Sequence, residues 1–260
     1  MEKIFISADL AKDSVHNKEY FGGHGAILGA QLAKEYKIPL RLHARLGKDK
    51  SSTEYLLKLQ EQGIDTQDIQ ENLPRLPHHY YEHESQSWTE ETSKKTEGTY
   101  QNFSLKEAQR ISKCLFCTQI HSSTDILLKL NKQCTIYSKI LATELLEKTM
   151  FTELFLQRSS VLFLAVRSQA ELRQVQKLLL AKRKALPSLQ TLILTSTFLQ
   201  IIGETPLKIQ LEDHSSLFNE YATKTRFFAA LFYYKELQKT TWEKSVELAL
   251  RDCKKKYLPL

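Results

Sequence analysis

FGGHGAILGAQLAKEYKIPLRLHARLGKDKSSTEYLLKLQEQGIDTQDI, residues 21–69, carries the clearest structural signal in this chain. It opens with the glycine pair Gly22 and Gly23, and apolar residues then recur with helical spacing over residues 26–36. An apolar run at 39–46 indicates a strand, and residues 53–61 form a second helical segment. Because two parallel strands need a crossover connection between them, usually a helix, this order predicts a parallel α/β arrangement.

Strand-like and helical segments continue to alternate along the rest of the chain. Strand-like runs lie at 3–7, 39–46, 76–81, 114–120, 134–138, 161–166 and 191–195, and amphipathic segments lie at 26–36, 53–61, 125–130, 143–155 and 169–184. The runs at 114–120, 161–166 and 191–195 are apolar on both faces, as central strands covered by helices on each side require. We expect one α/β domain over residues 1–260, a three-layer sandwich with a mainly parallel central sheet.

Four hydroxyl–carboxylate pairs mark candidate helix starts. In a capping box, the hydroxyl and the carboxylate satisfy backbone N–H groups that the first helical turn leaves free. The pairs are Ser51 with Glu54, Ser104 with Glu107, Ser168 with Glu171, and Thr240 with Glu243. Each pair predicts a helix that begins just after its hydroxyl residue.

Composition and charge restrict the class of protein. The chain has 260 residues, of which 42% are hydrophobic, enough to bury the core of one α/β domain. No apolar run approaches the roughly 18 residues of a membrane span, and the first ten residues include Glu2 and Asp9. We therefore expect no signal peptide, no membrane contact and a cytoplasmic location. The net charge is +7, but the basic runs at 181–184 and 253–256 lie at predicted helix ends without interleaved aromatic residues, so we expect no nucleic-acid partner.

Two clusters of metal-binding residue types have ordinary structural explanations. Cys114 and Cys117 form a C-x-x-C pair inside an apolar strand-like run, where residues three apart point to opposite faces. There is no second C-x-x-C, so we expect reduced core cysteines. In HHYYEHE, residues 78–84, alternation would place His79, Tyr81 and His83 on one strand face as a candidate metal or pH-sensitive cluster. Because no further ligand can be predicted, a solvent-exposed strand face is the favoured interpretation.

The order of motifs over residues 21–69 resembles the ribokinase family, also called the phosphofructokinase-B (PfkB) type of carbohydrate kinase. The glycine pair parallels the family's G-G-x-x-x-N-x-A opening, Gly47 and Asp49 parallel its G-x-x-G-x-D strand end, and GIDT at 63–66 parallels its L-x-x-x-G-V-D-T close. The resemblance extends over residues 20–237. It implies a parallel sheet between helices, a small β lid over a sugar site, and a substrate site of which Asp9, Gly22 and Gly23 are remnants.

The resemblance also implies that the catalytic motif has been lost. In the family, the glycines of a D-T-x-G-A-G-D turn expose backbone N–H groups that hold the transferred phosphate, and the last Asp acts as the base. The corresponding segment here is NEYATKT, residues 219–225, which puts Ala222 and Lys224 at the glycine positions and Thr225 at the base position. A neutral hydroxyl is a poor proton acceptor. On this alignment, the Thr225 hydroxyl should lie at the N-terminal end of the following helix, face a cleft and approach the glycine pair.

The other functional motifs of the family depart in a similar way. Ile27 replaces the Asn that helps to hold substrate, and an apolar side chain cannot hydrogen-bond a sugar hydroxyl. The N-x-x-E motif, tied to the magnesium and phosphate environment, corresponds to VRSQ at 166–169, which removes the charge that would organise Mg²⁺. The nucleotide-side T-x-G corresponds to TST at 195–197. Together these losses argue against efficient phosphotransfer.

The N-terminus and residues 76–100 bear on the lid. Only residues 1–21 precede the glycine pair, where the family usually fits a first strand and lid strands. Either residues 3–7 are the first central strand and the lid is nearly deleted, or they are a lid remnant and the first strand is lost. The apolar run from Ile4 to Ile6 favours the first alternative. The polar residues 82–100 suit an exposed strand or loop, so we expect a reduced lid, with a small element around 76–100, which would weaken a lid-mediated homodimer.

Three functional interpretations follow, in order of preference. The first is a pseudokinase, a ribokinase-like scaffold that binds an unknown protein or small-molecule ligand and needs no catalytic residue, metal or cofactor. The second is a weak or altered carbohydrate or nucleoside kinase that uses ATP and Mg²⁺, with Asp213, Glu220 or another carboxylate as base. The third is an α/β protein whose resemblance to these kinases is coincidental. Gly203 is the only glycine after residue 190, and the lack of a glycine-rich turn there favours the first interpretation over the second.

Overall fold

A computed structural model gives the architecture for residues 3–15, 18–82, 87–90, 105–117, 126–147, 150–166, 168–203, 206–211 and 221–254. The strands are β1 (Ile4–Ala8), β2 (Ala11–Val15), β3 (Lys18–Gly22), β4 (Leu40–Gly47), β5 (Asp65–Leu73), β6 (His78–Glu82), β7 (Ser87–Glu90), β8 (Lys113–Cys117), β9 (Thr135–Leu141), β10 (Val161–Ala165), β11 (Gln190–Leu194), β12 (Phe198–Ile202) and β13 (Leu207–Gln210). The helices are α1 (Gly23–Ala30), α2 (Lys50–Glu61), α3 (Leu105–Ala108), α4 (Ala142–Leu146), α5 (Met150–Arg158), α6 (Gln169–Lys182), α7 (Tyr221–Phe232) and α8 (Trp242–Cys253). Residues 126–129 form a further helical turn, and α1 and α7 continue as π-helical turns over Gln31–Glu35 and Tyr233–Leu237.

Within the described residues, nine strands form the larger sheet, in the order β13-β12-β11-β10-β9-β8-β1-β4-β5. Neighbouring strands from β11 to β5 pair in parallel, whereas β12, near one edge, pairs antiparallel with both β11 and β13. The three predicted central strands are confirmed, because β8, β10 and β11 all lie inside this sheet. The first strand, β1, lies between β4 and β8, so residues 3–7 do contribute a central strand.

Apolar residues cover both faces of the larger sheet. One face packs against α1, α7 and α8 in a cluster that includes Leu28, Phe227 and Val246. The other face packs against α5 and α6 in a cluster that includes Phe155 and Val175. A parallel sheet with helices on both faces is the expected three-layer sandwich, and this prediction is confirmed.

In the part of the chain that the structure describes, a second, smaller sheet has four strands in the order β3-β2-β6-β7, each four or five residues long. β2 and β3 pair antiparallel, with Ala11 opposite Gly22, whereas β6 lies parallel to β2. The prediction that the lid strands are nearly deleted at the N-terminus is therefore wrong. The sequences AKDSV and KEYFG are short and largely polar, so they lack the apolar run by which strands were recognised.

Of the three predicted helix starts that the structure describes, one is confirmed and two differ by one or two residues. Ser168 caps α6 as predicted. α2 is capped by Asp49, whose carboxylate accepts the N–H of Ser52 at 2.9 Å, and the predicted cap Ser51 lies inside the helix. α8 is capped by Thr241 rather than by the preceding threonine. The predicted cap at residue 104 lies outside the described residues.

Two further elements differ from the sequence predictions. The single helix predicted at 143–155 is two helices, α4 and α5. The strand β5 was not predicted, because its sequence DTQDIQENL is polar, as suits the edge of the sheet that it occupies. In the described part of the chain, no helix has the length and apolar character needed to span a membrane.

Candidate functional site

The glycine pair lies where β3 ends and α1 begins. The Asp13 carboxylate, on β2 and only 5% exposed, accepts the backbone N–H of Gly23 at 2.8 Å. A Cβ atom at Gly22 would lie 1.9 Å from Oδ2 of that carboxylate. Gly23 has φ +79°, in the left-handed region that favours glycine. The turn therefore requires both glycines for packing and backbone geometry, whatever ligand the site binds.

Asp9 and His24 flank this turn. Asp9 follows β1 at the carboxyl edge of the parallel sheet, and its backbone carbonyl accepts the N–H of Gly25 at 3.0 Å, which fixes the start of α1 against the strand end. Asp9 and His24 are both partly exposed. Parallel α/β folds bind their ligands at this edge. The structure thus brings the three residues predicted as substrate-site remnants, Asp9, Gly22 and Gly23, to one place.

His24 connects the start of α1 with α7 and with the middle of the sheet. Its Nδ1 atom lies 3.0 Å from Thr225 Oγ1 and 3.4 Å from Lys139 Nζ. Thr225 is fully buried, and Lys139, on β9, is 5% exposed. Because an ammonium group can only donate, Nδ1 acts as the acceptor; Thr225 then also donates to it, and the proton of the neutral imidazole lies on Nε2. We name His24, Lys139 and Thr225 the His24 cluster.

Thr225 lies against the residue that follows the glycine pair, but it does not face a cleft as predicted. α7 begins at Tyr221, so Thr225 is its fifth residue rather than its first, and no part of Thr225 is exposed. Ala222 and Lys224 carry a Cβ and adopt the helical conformation, whereas glycines at these positions would favour a turn. The segment that the resemblance assigns to a catalytic turn is therefore helical from residue 221.

The other residues that the resemblance aligns with family motifs contribute to the core or to turns. Ile27 is 2% exposed within α1, and Val166 is 6% exposed just after β10. Thr195 Oγ1 accepts the N–H groups of Thr197 at 3.2 Å and Phe198 at 3.0 Å, which shapes the turn between β11 and β12. Each of these residues thus has a structural role that needs no nucleotide.

The structure describes only some of the residues that were predicted as metal ligands or alternative bases. Within the described residues, no group of three or more His, Cys, Asp or Glu could hold a metal ion. Cys114 is a buried free thiol, as predicted, and burial raises its pKa. His83, Asp213 and Glu220 lie outside the described part of the chain. For His79, Tyr81 and Cys117, the structure describes the backbone but not the side chain.

A buried carboxylate holds α8 onto the helices that carry the site. Asp252 is 1% exposed and accepts hydroxyl hydrogen bonds from Tyr36 and Tyr234, each at 2.7 Å. The two tyrosines lie at or within the π-helical turns that follow α1 and α7. Burial and the hydrogen bond to Asp252 raise the pKa of Tyr234 to about 12, so this hydroxyl stays a donor at neutral pH. The network fixes α1 and α7, and with them His24 and Thr225, relative to α8.

A cavity of 260 Å³ lies away from this site, at the C-terminal end of α6 and the start of β11. Its lining is mostly apolar, with Lys182 and Arg183 as its charged members, and Lys182 forms an ion pair with Glu153. No acid–base pair comes together among its lining residues, all of which are described. We therefore place the candidate functional site at the His24 cluster and the adjacent glycine turn.

Sequence analysis missed three polar residues of this site: Asp13, His24 and Lys139. Lys139 could have been noticed as the one charged residue in the strand-like run TIYSKIL. His24 could have been noticed because it interrupts three glycines in GGHG. Asp13 carried no signal, because its partner is a backbone N–H group ten residues away in the chain.

Solved structures with the same architecture include sugar kinases. The PfkB protein from Polaromonas sp. JS666 superposes with a TM-score of 0.71 at 9% identity, over 97% of this chain and 95% of that one. Ribokinase from Thermotoga maritima gives a TM-score of 0.66 at 11% identity, over 96% and 91%. Fructokinase from Vibrio cholerae O395, in its fructose-, ADP- and calcium-bound form, gives 0.67 at 12% identity, over 97% and 90%. The chain has a ribokinase-like fold.

The ribokinase-like fold confirms the resemblance at the level of architecture. No protein-family model matches the sequence, and neither does any curated protein. Identities of 9 to 12% establish the fold alone, so the chemistry has to be argued from the residues of this chain.

Proposed function

We propose that this ribokinase-like chain is a pseudokinase, a scaffold that binds a protein or a small molecule and does not transfer phosphate. Thr225 carries the proposal: the residue that the resemblance aligns with the catalytic base is a fully buried hydroxyl that is hydrogen-bonded to His24. A helical backbone at Ala222 and Lys224, each with a Cβ, replaces the glycine turn that would let a phosphate approach the main chain closely.

The size of these losses supports the proposal. Removing a general base typically lowers a rate by about 10²–10⁴-fold. Removing one preorganised oxyanion donor lowers it by about 10²–10³-fold. Since both kinds of group are replaced together, the combined factor is about 10⁴–10⁷, which would lower an ordinary turnover of about 1–10³ s⁻¹ to about 0.1 s⁻¹ or less.

Other parts of the site support retained ligand binding. Asp9, Gly22 and Gly23 stay together at the carboxyl edge of the sheet, and the His24 cluster adds polar groups beside them. We propose that residues 1–260 act as one domain and bind their ligand at this edge.

A weak or altered carbohydrate or nucleoside kinase is the second candidate. It is favoured by the ribokinase-like fold, since a fructokinase of the same architecture binds fructose and ADP. On this alternative the protein would use ATP and Mg²⁺, with a carboxylate other than residue 225 as its base. The absence of a carboxylate at Thr225 is the reason for ranking this candidate second.

Calorimetry with ATP and magnesium tests the proposal. We expect a dissociation constant weaker than about 1 mM, equivalent to less than about 4 kcal/mol of binding free energy. Micromolar affinity for the ATP–Mg²⁺ complex would contradict the proposal and support the altered kinase. A parallel thermal-shift screen of sugars, nucleosides and nucleotides would identify a ligand, because binding to the native state raises the melting temperature.

A further inference from the structure

Lys139 is an unusual residue in the interior of this protein. It lies on β9, opposite Phe163 of β10, in the middle of the parallel sheet, and its side chain is 5% exposed. Its ammonium group contacts His24 Nδ1 at 3.4 Å. In the described part of the chain, no carboxylate lies within ion-pair distance of Lys139 Nζ.

A second buried cation, Arg226, shows how the same fold satisfies such a charge. Its guanidinium donates to Gln31 Oε1 at 3.3 Å and to the carbonyl oxygens of Asp252 at 3.0 Å and Cys253 at 3.4 Å. A Glu35 carboxylate oxygen lies 4.0 Å away. Arg226 therefore has acceptors and an anion around it, as a buried charge normally requires.

Among the described residues, Lys139 has one neutral acceptor, His24 Nδ1, for its three N–H donors. A buried ammonium group in this state is unfavourable unless an anion completes its shell. His24 is the partly exposed member of the cluster, whereas Lys139 and Thr225 are buried. The cluster lies next to the glycine turn at the carboxyl edge of the sheet, where such folds bind ligands.

We propose that the His24 cluster is a metal-independent binding site for the oxyanion of a small molecule, with Lys139 as the charge partner. The ligand is a phosphate monoester or a carboxylate of sugar size, whose oxyanion accepts from the Lys139 ammonium, while His24 lines the entrance. This inference deepens the proposed function and rests on it in one respect, that the site binds a ligand without the ATP–Mg²⁺ complex.

Calorimetry and thermal shift in the presence of EDTA test the site. The probes are inorganic phosphate, glucose 6-phosphate, gluconate and, as the neutral comparison, glucose, all at the same ionic strength set with sodium chloride. We expect at least one of the three anions to bind and to raise the melting temperature, and glucose alone to do neither. The two anionic sugars distinguish a phosphate ligand from a carboxylate ligand.

Lys139→Met tests the role of the ammonium group, because methionine is of similar shape and uncharged. We expect the affinity for the anion to fall by about 10- to 100-fold, the usual effect of losing a charged hydrogen bond. The ligand-free variant should melt at a higher temperature than the unsubstituted protein, because a buried charge has been removed. Lys177→Met, on the exposed face of α6, makes the same charge change and should leave both properties unchanged.

His24→Gln provides a second variant if the substitution in the sheet prevents folding. It changes a partly exposed residue at the entrance and should weaken anion binding severalfold. The inference is overturned if none of the three anions binds at millimolar concentration, or if Lys139→Met and His24→Gln bind as tightly as the unsubstituted protein. Neither result tests the proposed function, which is tested separately by the measurements with ATP and Mg²⁺.

Discussion

At the residue scale, His43 shows how burial sets the chemistry of a side chain in this protein. It lies on β4 with no exposed surface, and its ring stacks on Phe5 with ring centroids 5.8 Å apart. Burial is the main cause that lowers the pKa of His43 to about 3, and the positive charges of Lys129, Arg41 and Arg45 lower it further. The imidazole therefore stays neutral in the folded protein throughout the range in which an exposed histidine would titrate.

The depressed pKa of His43 predicts a loss of stability in acid. Below an ordinary histidine pKa of about 6.5, the unfolded chain binds a proton that the folded chain does not bind, so stability falls as the pH falls. The contribution of this one group approaches about 1.4 kcal/mol per pH unit until the folded-state pKa is reached. Urea unfolding between about pH 7 and pH 5 measures the slope.

We expect His43→Gln to reduce that slope, because glutamine does not titrate. His78→Gln, in the small sheet, is the control and should leave the contribution of His43 in place. Equal slopes for the unsubstituted protein and His43→Gln would contradict the assignment.

The His24 cluster predicts a strong coupling between Thr225 and Lys139. Both side chains contact the same nitrogen of His24, so a carboxylate at position 225 would lie near the buried ammonium group. We expect Thr225→Asp alone to change the free energy of unfolding by less than about 1 kcal/mol. In a Lys139→Met background the same change should lose about 3–5 kcal/mol, because the buried carboxylate then has no cationic partner.

Urea unfolding of the two single variants and the double variant measures this coupling. At about pH 8, a histidine with an ordinary pKa is neutral and does not compensate for the missing lysine. Additive effects of the two substitutions would show that the ammonium and position 225 do not interact.

At the element scale, helix caps show which chemical details the sequence pattern resolves. A hydroxyl followed three residues later by Glu predicted the start of α6 correctly but placed the start of α2 two residues too late. A carboxylate caps as well as a hydroxyl, and the Asp49 side chain also accepts the N–H of Leu76 at 3.2 Å. That second contact lies 27 residues away in the chain, so a local pattern could not reveal it.

Asp49→Ala should lower the free energy of unfolding by about 0.5–2 kcal/mol, because α2 loses its cap. Ser51→Ala is the matched control, since Ser51 lies inside α2 and does not cap it. We expect the control to change stability by less than about 0.5 kcal/mol. A larger loss from Ser51→Ala than from Asp49→Ala, in thermal or urea unfolding, would mean that the helix starts where the sequence pattern put it.

At the scale of the whole molecule, the fold was more predictable than the site. Alternating apolar runs and amphipathic segments were enough for the parallel sheet and its two helical layers, because burial on both faces leaves a clear mark on strand composition. The small sheet was missed because its strands at Ala11–Val15 and Lys18–Gly22 are short and polar.

The candidate site depends on contacts between residues far apart in the chain. The order of motifs in the sequence predicted that Thr225 lies close to the glycine pair, at the same edge of the sheet. His24 and Lys139 were missed, because 115 residues separate them and only the folded sheet brings them together. The burial of Thr225 was missed for the same reason, since it depends on the packing of α7 against α1.

Transfer of the γ-phosphate from labelled ATP in the presence of Mg²⁺ to a panel of sugars and nucleosides is the most direct test of the pseudokinase proposal. We predict no transfer above that of a protein-free control, for the unsubstituted protein and for Thr225→Asp alike, because one restored carboxylate does not rebuild the glycine turn. Asp9→Asn serves as the control against a contaminating kinase, since it changes the site and not a contaminant. Phosphate transfer that depends on this protein and falls in Asp9→Asn would contradict the proposal and make the chain an altered kinase.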